Sequence, residues 1–381
     1  MRVAVNAWFW DNPTTGSGQY TRRLVAHLGL IAPDLEIVLV VPGRHWFQVS
    51  SFRFQDSSGS QPEIPLLKPG TGSLGKVWFE QIAFPRACRR LGADVAHVPY
   101  WASPLAPSVP TVVTIHDLIP LLLPEYRGGP LVRLYTALVS RAAHSAALVL
   151  TDSQASRRDI VVHLGLRSER VRVVYLAADE RYAPPPSNSP LEGGSWRGGY
   201  VLYLGGFDVR KNVATVLAAY RQAGPVIGEI CPLVVAGRLP ERDTPFTPDP
   251  RRLAREQGVD ERFVRFIGFV KETDKPALYQ GATAFIFPSR YEGFGLPPLE
   301  ALACGTPVVG SDAASMPEVV GPGGVLLPPD DAEGMARALI RLATDEGYRE
   351  ELSRRALAQA ARFSWERTAR ETLASYQDVV T

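Results

Sequence analysis

Short apolar runs rich in β-branched residues alternate with longer helix-patterned stretches along nearly the whole chain. In the first half the runs are RVAVNA (2–7), EIVLVV (36–41), DVAHV (94–98), TVVTI (111–115), ALVLT (147–151) and VRVVY (171–175). In the second half they are YVLYL (200–204), PLVVA (232–236), FVRFI (263–267), TAFIF (283–287), PVVG (307–310) and GVLL (324–327). Near-continuous apolar strands separated by helices predict parallel sheets covered on both faces, an α/β architecture. Such sheets bind ligands just beyond the carboxyl ends of their strands, so functional residues are expected there.

A chain of 381 residues exceeds one typical domain. The run APPPSNSPLEGGSWRGG (183–199) is dominated by Pro, Gly and Ser and has no periodicity, which predicts a linker. The expected layout is therefore a first domain over 1–182, the linker, and a second domain over 200–363. The last helical pattern, 364–381, either caps the second domain or crosses back to the first. QDSSGSQP (55–62) is expected to be a mobile surface excursion.

A net charge of +2 gives a nucleic-acid partner no support. The three cysteines, Cys88, Cys231 and Cys304, are odd in number and widely spaced, against a disulfide framework or a structural zinc site. The N-terminus opens directly on a strand, unlike a signal peptide, and no apolar run approaches the roughly 20 residues of a membrane span. These features predict a soluble cytoplasmic protein, at most peripheral at the inner face of the membrane. Only five of the 41 basic residues are lysines: Lys68, Lys76, Lys211, Lys271 and Lys275. A lysine at a special place is therefore conspicuous.

Four stretches carry candidate chemistry. In NPTTGSGQYTRRL (12–24), Gly16 and Gly18 allow a turn with outward N–H groups before a helix from about Thr21, which suits an anion. An ordinary glycine turn explains the same residues. In TIHDLIP (114–120), a strand runs into His116, placed to donate a hydrogen bond to a sugar hydroxyl or phosphate. In LYLGGFDVRKN (202–212), Arg210 and Lys211 are expected to open a helix, where two cations oppose the macrodipole unless an anion compensates. In FPSRYEGFGLPPLE (287–300), Glu292 lies on a loop and the helix should begin near Pro297–Pro298, with Glu300 in its first turn. Gly293 and Gly295 let backbone approach a ligand. SMPE (315–318) fits a capping box, which would make Glu318 structural.

Together these residues resemble the retaining glycosyltransferases of family four, which have the GT-B fold of two Rossmann-like domains facing a deep cleft. The carboxylate pair Glu292 and Glu300 matches the family's Glu–seven residues–Glu spacing. The surrounding FPSRYEGFGLPPLEALACGTPVV, the upstream RKN, the early IHDLIP and the terminal FSWE follow the family's order over essentially the whole chain. The resemblance implies a nucleotide-sugar donor. Glu300 would accept hydrogen bonds from its ribose, and Glu292 would lie near its sugar. Backbone of Gly293, Phe294, Gly295 and Leu296 would meet sugar and diphosphate. Arg210 and Lys211 would neutralise the diphosphate, the Gly16–Gly18 loop would face it, and His116 would touch sugar or phosphate. The stretch 268–270, ending at Val270, would hold the base. Many relatives carry a cation after the strand-ending glycine. Here Gly205–Gly206–Phe207 stands instead, so that contact is missing or supplied elsewhere.

The sequence contains no Asp-x-Asp, so no metal and no cofactor are expected, and retention would follow front-face attack. A sugar phosphorylase or nucleotide-sugar epimerase shares the fold, and a decayed, non-catalytic sugar-nucleotide-binding module is a third reading. The presence of both carboxylates, Lys211 and His116 favours transfer. The expected acceptor is a glycan or a lipid-linked sugar of cell-surface polysaccharide, in the mannosyl- and rhamnosyl-type branch, with GDP-mannose as the first donor to test. GKVWFEQIAFPRACRRLG (75–92) interleaves aromatics with arginines. It reads foremost as an amphipathic core helix with a solvated basic face, and alternatively as a membrane contact. Trp8, Phe9 and Trp10 either line an acceptor pocket or simply pack.

Overall fold

A strand with both faces covered needs apolar residues at every position, and Glu36–Val41 shows this: all of it after Glu36 is buried. The computed structural model describes residues 1–12, 15–42, 48–52, 73–185 and 199–381. The linker expected at 183–199 lies almost wholly outside these residues, as does the excursion at 55–62.

The chain divides into two units: one holds Met1–Leu176 with Ser364–Thr381, the other Ala177–Phe363. Strands of the first unit are β1 (Arg2–Asn6), β2 (Glu36–Val41), β3 (Gln48–Phe52), β4 (Val95–Val98), β5 (Thr111–Thr114), β6 (Leu148–Thr151) and β7 (Val171–Val173). They form one sheet in the order β3-β2-β1-β4-β5-β6-β7. All pairings are parallel except β2 with β3, an antiparallel edge that the sequence pattern did not reveal.

The second unit has β8 (Val201–Leu204), β9 (Leu233–Ala236), β10 (Val264–Gly268), β11 (Ala284–Phe287), β12 (Val308–Ser311) and β13 (Gly324–Leu327). They form a parallel sheet in the order β10-β9-β8-β11-β12-β13. The two-residue period of a strand splits its core. Val201 and Tyr203 pack into one apolar cluster, Leu202 and Leu204 into another on the opposite face. Burying each such large side chain stabilises the unit by roughly 1.5–3 kcal/mol.

Residues 177–185 belong to the second unit, so the boundary falls six residues before the 182 expected from composition. The reason is packing: Tyr182 sits edge-on to Tyr279 at 5.9 Å, and Gln280 Nε2 donates to the Ala183 carbonyl at 2.7 Å. The final helix, Trp365–Val380, packs in the first unit. Its Tyr376 hydroxyl meets His97 Nδ1 at 2.7 Å, and Thr368 Oγ1 donates to the Tyr175 carbonyl at 2.6 Å.

Each sheet reverses its strand order once, between β1 and β4 in the first unit and between β8 and β11 in the second. Crevices beyond the carboxyl ends of such neighbours are the natural ligand positions of doubly wound sheets.

Candidate active site

The loops after β8 and β11 meet at the second unit's reversal point. After β8, Val209–Lys211 forms one 3-10 turn, Asn212 follows at φ 56°, and only then does the helix Val213–Ile227 begin. Arg210 and Lys211 therefore precede that helix rather than open it. The left-handed conformation is one that Asn tolerates better than most residues. Asn212 also clamps the two loops together, its Nδ2 donating to the Pro288 carbonyl at 3.3 Å and to that of Pro329 at 2.8 Å. The Arg290 N–H donates to the Arg210 carbonyl at 2.8 Å.

Three donors converge on one oxygen of Glu292. Lys211 Nζ lies 2.7 Å from Oε1, an Arg210 guanidinium nitrogen 2.8 Å and Ser289 Oγ 2.5 Å. Arg210 also donates to the Tyr291 carbonyl at 2.8 Å, and Lys211 Nζ stands 5.0 Å from the centre of the Phe287 ring. Burial pushes the Glu292 carboxyl up. The charges of Lys211 and Arg210, with the bonds from Lys211 and Ser289, more than reverse that and hold it below its ordinary value. The carboxylate is thus ionised at neutral pH.

The following loop is shaped by backbone. Gly295 has φ 110°, a conformation that disfavours any side chain, and the helix Leu296–Ala303 starts directly after it. Glu300 consequently lies in the second turn, not the first, beyond the stretch where a helix end favours acidic residues. The Tyr279 hydroxyl donates to Glu300 Oε2 at 3.0 Å. Here burial dominates: despite the nearby Lys275 charge, the Glu300 carboxyl is pushed up to about 7.

Ser315 does not form the expected capping box. Its hydroxyl makes no cap bond and instead lies 2.9 Å from the Glu292 carbonyl and 2.5 Å from that of Phe294. It props the Glu292–Gly295 loop from below. Phe294 is buried, edge-on to Phe363 at 5.8 Å.

In the first unit, Gly16 and Gly18 are the opening residues of the helix Gly16–Ile31 rather than a turn before it, because Thr15 caps the helix. A Cβ on Gly18 would stand 2.1 Å from the Asn12 carbonyl oxygen, so that position requires glycine by close approach; Gly16 faces open space. His116, just past β5, contacts Asp152 Oδ2 through Nδ1 at 2.6 Å and the Pro99 carbonyl through Nε2 at 3.3 Å. Burial lowers its pKa, but the Asp152 charge and hydrogen bond outweigh it, and the result is raised. Nδ1, which faces the Asp152 carboxylate, is held as a donor.

Residues 197–359 match the family described as Glycosyl transferases group 1, and residues 15–182 match Glycosyltransferase Family 4. The O-antigen chain mannosyltransferase B of Escherichia coli is 35% identical over 378 residues, covering 96% of each chain. This chain belongs to the family-four glycosyltransferases. Among solved structures, the sucrose-phosphate synthase of Thermosynechococcus elongatus aligns with a TM-score of 0.72 at 21% identity, over 100% of this chain and 99% of that one. Anabaena HepE in complex with UDP and glucose aligns at 0.70 and 18% identity, over 98% of each chain. Both establish the GT-B fold.

Within this glycosyltransferase the structure gathers Arg210, Lys211 and Glu292, with the Gly293–Leu296 backbone alongside. Glu300 occupies a separate cluster with Tyr279, and Val270 packs against the same apolar cluster as Tyr279 and Tyr182. Phe269 beside it is exposed, with the Arg238 guanidinium 5.3 Å from its ring centre. Trp10 is buried beneath the Arg22 guanidinium at 4.8 Å, whereas Trp8 and Phe9 are half-buried. Sequence reasoning missed Asp152, Ser289, Ser315 and Asn212. Asp152 follows a strand, a signal that was available; the serines are visible only in three dimensions. Among the described residues no group of three His, Cys, Asp or Glu side chains is placed to hold a metal ion.

Proposed function

We propose that this glycosyltransferase moves a hexosyl unit, with retention, from a nucleoside diphosphate sugar to a glycan or lipid-linked acceptor of a cell-surface polysaccharide or glycolipid. GDP-mannose is the first donor to test, in keeping with the O-antigen mannosyltransferase relative. The observation that carries the reading is the convergence of Lys211, Arg210 and Ser289 on Glu292 Oε1. Departure of a diphosphate needs preorganised positive charge, and two cations already fixed in a partly buried loop need little reorganisation to supply it. With Oε1 saturated, Oε2 is the oxygen left to accept from a sugar hydroxyl. Glu300, once ionised, accepts from ribose hydroxyls, and His116, in its protonated form, turns Nε2–H from the Pro99 carbonyl, a 3.3 Å contact, to a sugar hydroxyl or a phosphate oxygen. No step in this scheme calls for a metal ion.

The reading is tested with a thermal-shift panel of UDP-, GDP- and dTDP-sugars, because a ligand that binds only the folded state raises its stability. One nucleotide class should raise the melting temperature, and nucleoside diphosphate should be released only when an acceptor sugar is present. Release driven by inorganic phosphate, or no stabilisation by any nucleotide sugar, would sink it.

The proposal includes a peripheral membrane contact through 75–92 and its flank. Leu74, Trp78 and Ile82 are exposed on one stripe, followed by exposed Arg86, Arg89 and Arg90, while Phe79, Phe84 and Cys88 are buried. No helix among the described residues is long and apolar enough to cross a membrane. Flotation with vesicles containing anionic lipid, but not with neutral ones, is the expected result.

A further inference from the structure

We propose that the first unit carries a second ligand site, a sugar-ring pocket built on Lys76, Tyr135, Tyr100 and Phe9 and positioned from beneath by Glu80. Its designation as the acceptor subsite rests on the transfer reading above; its chemistry does not.

The place is the first unit's own reversal point. β1 ends at Asn6, Tyr100 lies just past β4, and the Tyr100 hydroxyl donates to Asn6 Oδ1 at 3.0 Å. Beside this bond runs the helical segment that begins at Ser73. Its middle, Phe79–Ala83, is π-helical, a distortion frequent at functional sites. The extra width carries Glu80, which has 0% exposure. Lys76 Nζ lies 3.1 Å from Glu80 and donates to the Tyr135 hydroxyl at 2.7 Å, and that hydroxyl donates to Glu80 at 3.0 Å. Three rings surround the same ammonium: Tyr135 at 4.6 Å, Tyr100 at 5.2 Å and Phe9 at 5.6 Å.

Packing does not account for this construction. Well-packed apolar residues stabilise a fold at least as well as a buried ion pair. A buried polar group also lacks a partner here: Asn6 Nδ2, on the side chain that accepts from Tyr100, bonds to nothing among the described residues. Lysine is rare in the chain, and Lys211 sits beside buried Glu292 over the Phe287 ring at the second unit's reversal point. Lys76 beside Glu80 repeats that arrangement in the first unit.

The ligand class follows from charge and shape. Glu80 balances Lys76, so the pocket offers an anion no net positive charge. An ammonium has three N–H donors, and Glu80 and Tyr135 take two. The third suits a hydroxyl oxygen, and the half-buried faces of Phe9 and Tyr135 suit the C–H face of a pyranose. Aromatic walls with a few placed polar groups are the usual make-up of a small-molecule site. Glu80 itself is out of a ligand's reach and acts by orienting Lys76 and Tyr135.

The test is ligand-observed NMR with titration of neutral trisaccharides ending in mannose, glucose, galactose or N-acetylglucosamine. It uses the full chain and its Lys76→Met, Glu80→Gln and Tyr135→Phe variants. At least one sugar should bind the wild type, and its affinity should fall about tenfold or more in Lys76→Met and Glu80→Gln, and about threefold or more in Tyr135→Phe. Nucleotide affinity should stay unchanged in all three. Tyr135→Phe keeps the packing, so it reports even if the charge variants misfold. Absence of sugar binding to the wild type, undiminished binding in the folded variants, or equal loss of nucleotide binding would each overturn the proposal. Loss of sugar binding in the variants of a protein that no nucleotide sugar stabilises would keep this pocket and remove the transfer reading.

Discussion

Glu292 is held by three donors on one oxygen, so removing any of them acts on folding and on chemistry together. Lys211→Ala should slow turnover at least about tenfold, since a hydrogen bond to a charged group is worth roughly 1.5–3 kcal/mol and about 1.36 kcal/mol is a decade. It should also lower stability by about 1–3 kcal/mol, because the buried carboxylate loses a partner. The double variant Lys211→Ala/Glu292→Gln separates the two effects: urea denaturation should show most of the stability restored, while diphosphate release stays slow. Wild-type turnover in Lys211→Ala would refute the assignment. Glu300 gives a pH signature. Its carboxyl is raised from 4.5 to about 7 in the folded state, so the folded protein binds that proton more tightly than the unfolded chain. Stability from this group is therefore full below pH 4.5 and declines as pH rises towards 7. A ligand that needs the ionised form behaves oppositely. Nucleotide binding, followed by calorimetry, should tighten between pH 6 and 8 in the wild type and lose that tightening in Glu300→Gln.

At the scale of elements, two glycines of one helix have different reasons to be there. Gly16→Ala meets open space and should be neutral or stabilising by up to about 0.5–1 kcal/mol. Gly18→Ala drives a methyl group to 2.1 Å from one backbone oxygen and 2.8 Å from another, and should cost about 1–3 kcal/mol. Equal chemical-denaturation midpoints for the two variants would contradict the close-approach account. The same helix shows what was legible beforehand. Its glycines marked a special backbone, but the pattern placed the helix start near Thr21, since nothing in the sequence separates a glycine-bearing first turn from a loop. The twelve parallel strands were readable because β-branched runs mark covered strands. The antiparallel β3 was not, since an edge strand such as QVSSF lacks an apolar run. SMPE misled for a related reason: a serine hydroxyl bonds whatever carbonyl or N–H folding brings closest, and here these are the carbonyls of Glu292 and Phe294.

For the whole molecule, the two-domain layout was legible from length and from the repeated grammar of strands and helices. The last helical pattern does not itself say which unit it joins. Its apolar stripe of Trp365, Ala369 and Tyr376 says that one face is covered, not by what. The partners turn out to be first-unit residues: His97 for Tyr376, and the Tyr20 and His27 rings for Trp365. Burial pushes His97 down to about 3, so it is neutral and relies on hydrogen bonds alone. Deleting residues 364–381 should therefore expose β1, β4 and β5 to hydrogen exchange while β8 to β13 keep their protection; uniform loss across both sheets would contradict the division into units. A unit whose first and last pieces lie at opposite ends of the chain also has a history during synthesis. About 200 residues separate β7 from the chain end, which at ~5–20 residues per second is a delay of roughly 10–40 s. Through that interval the nascent first sheet presents Tyr20 and His97 without their cover, while the strands of the second sheet are still being made. The sheet that is made first therefore waits for the last helix before its core can close.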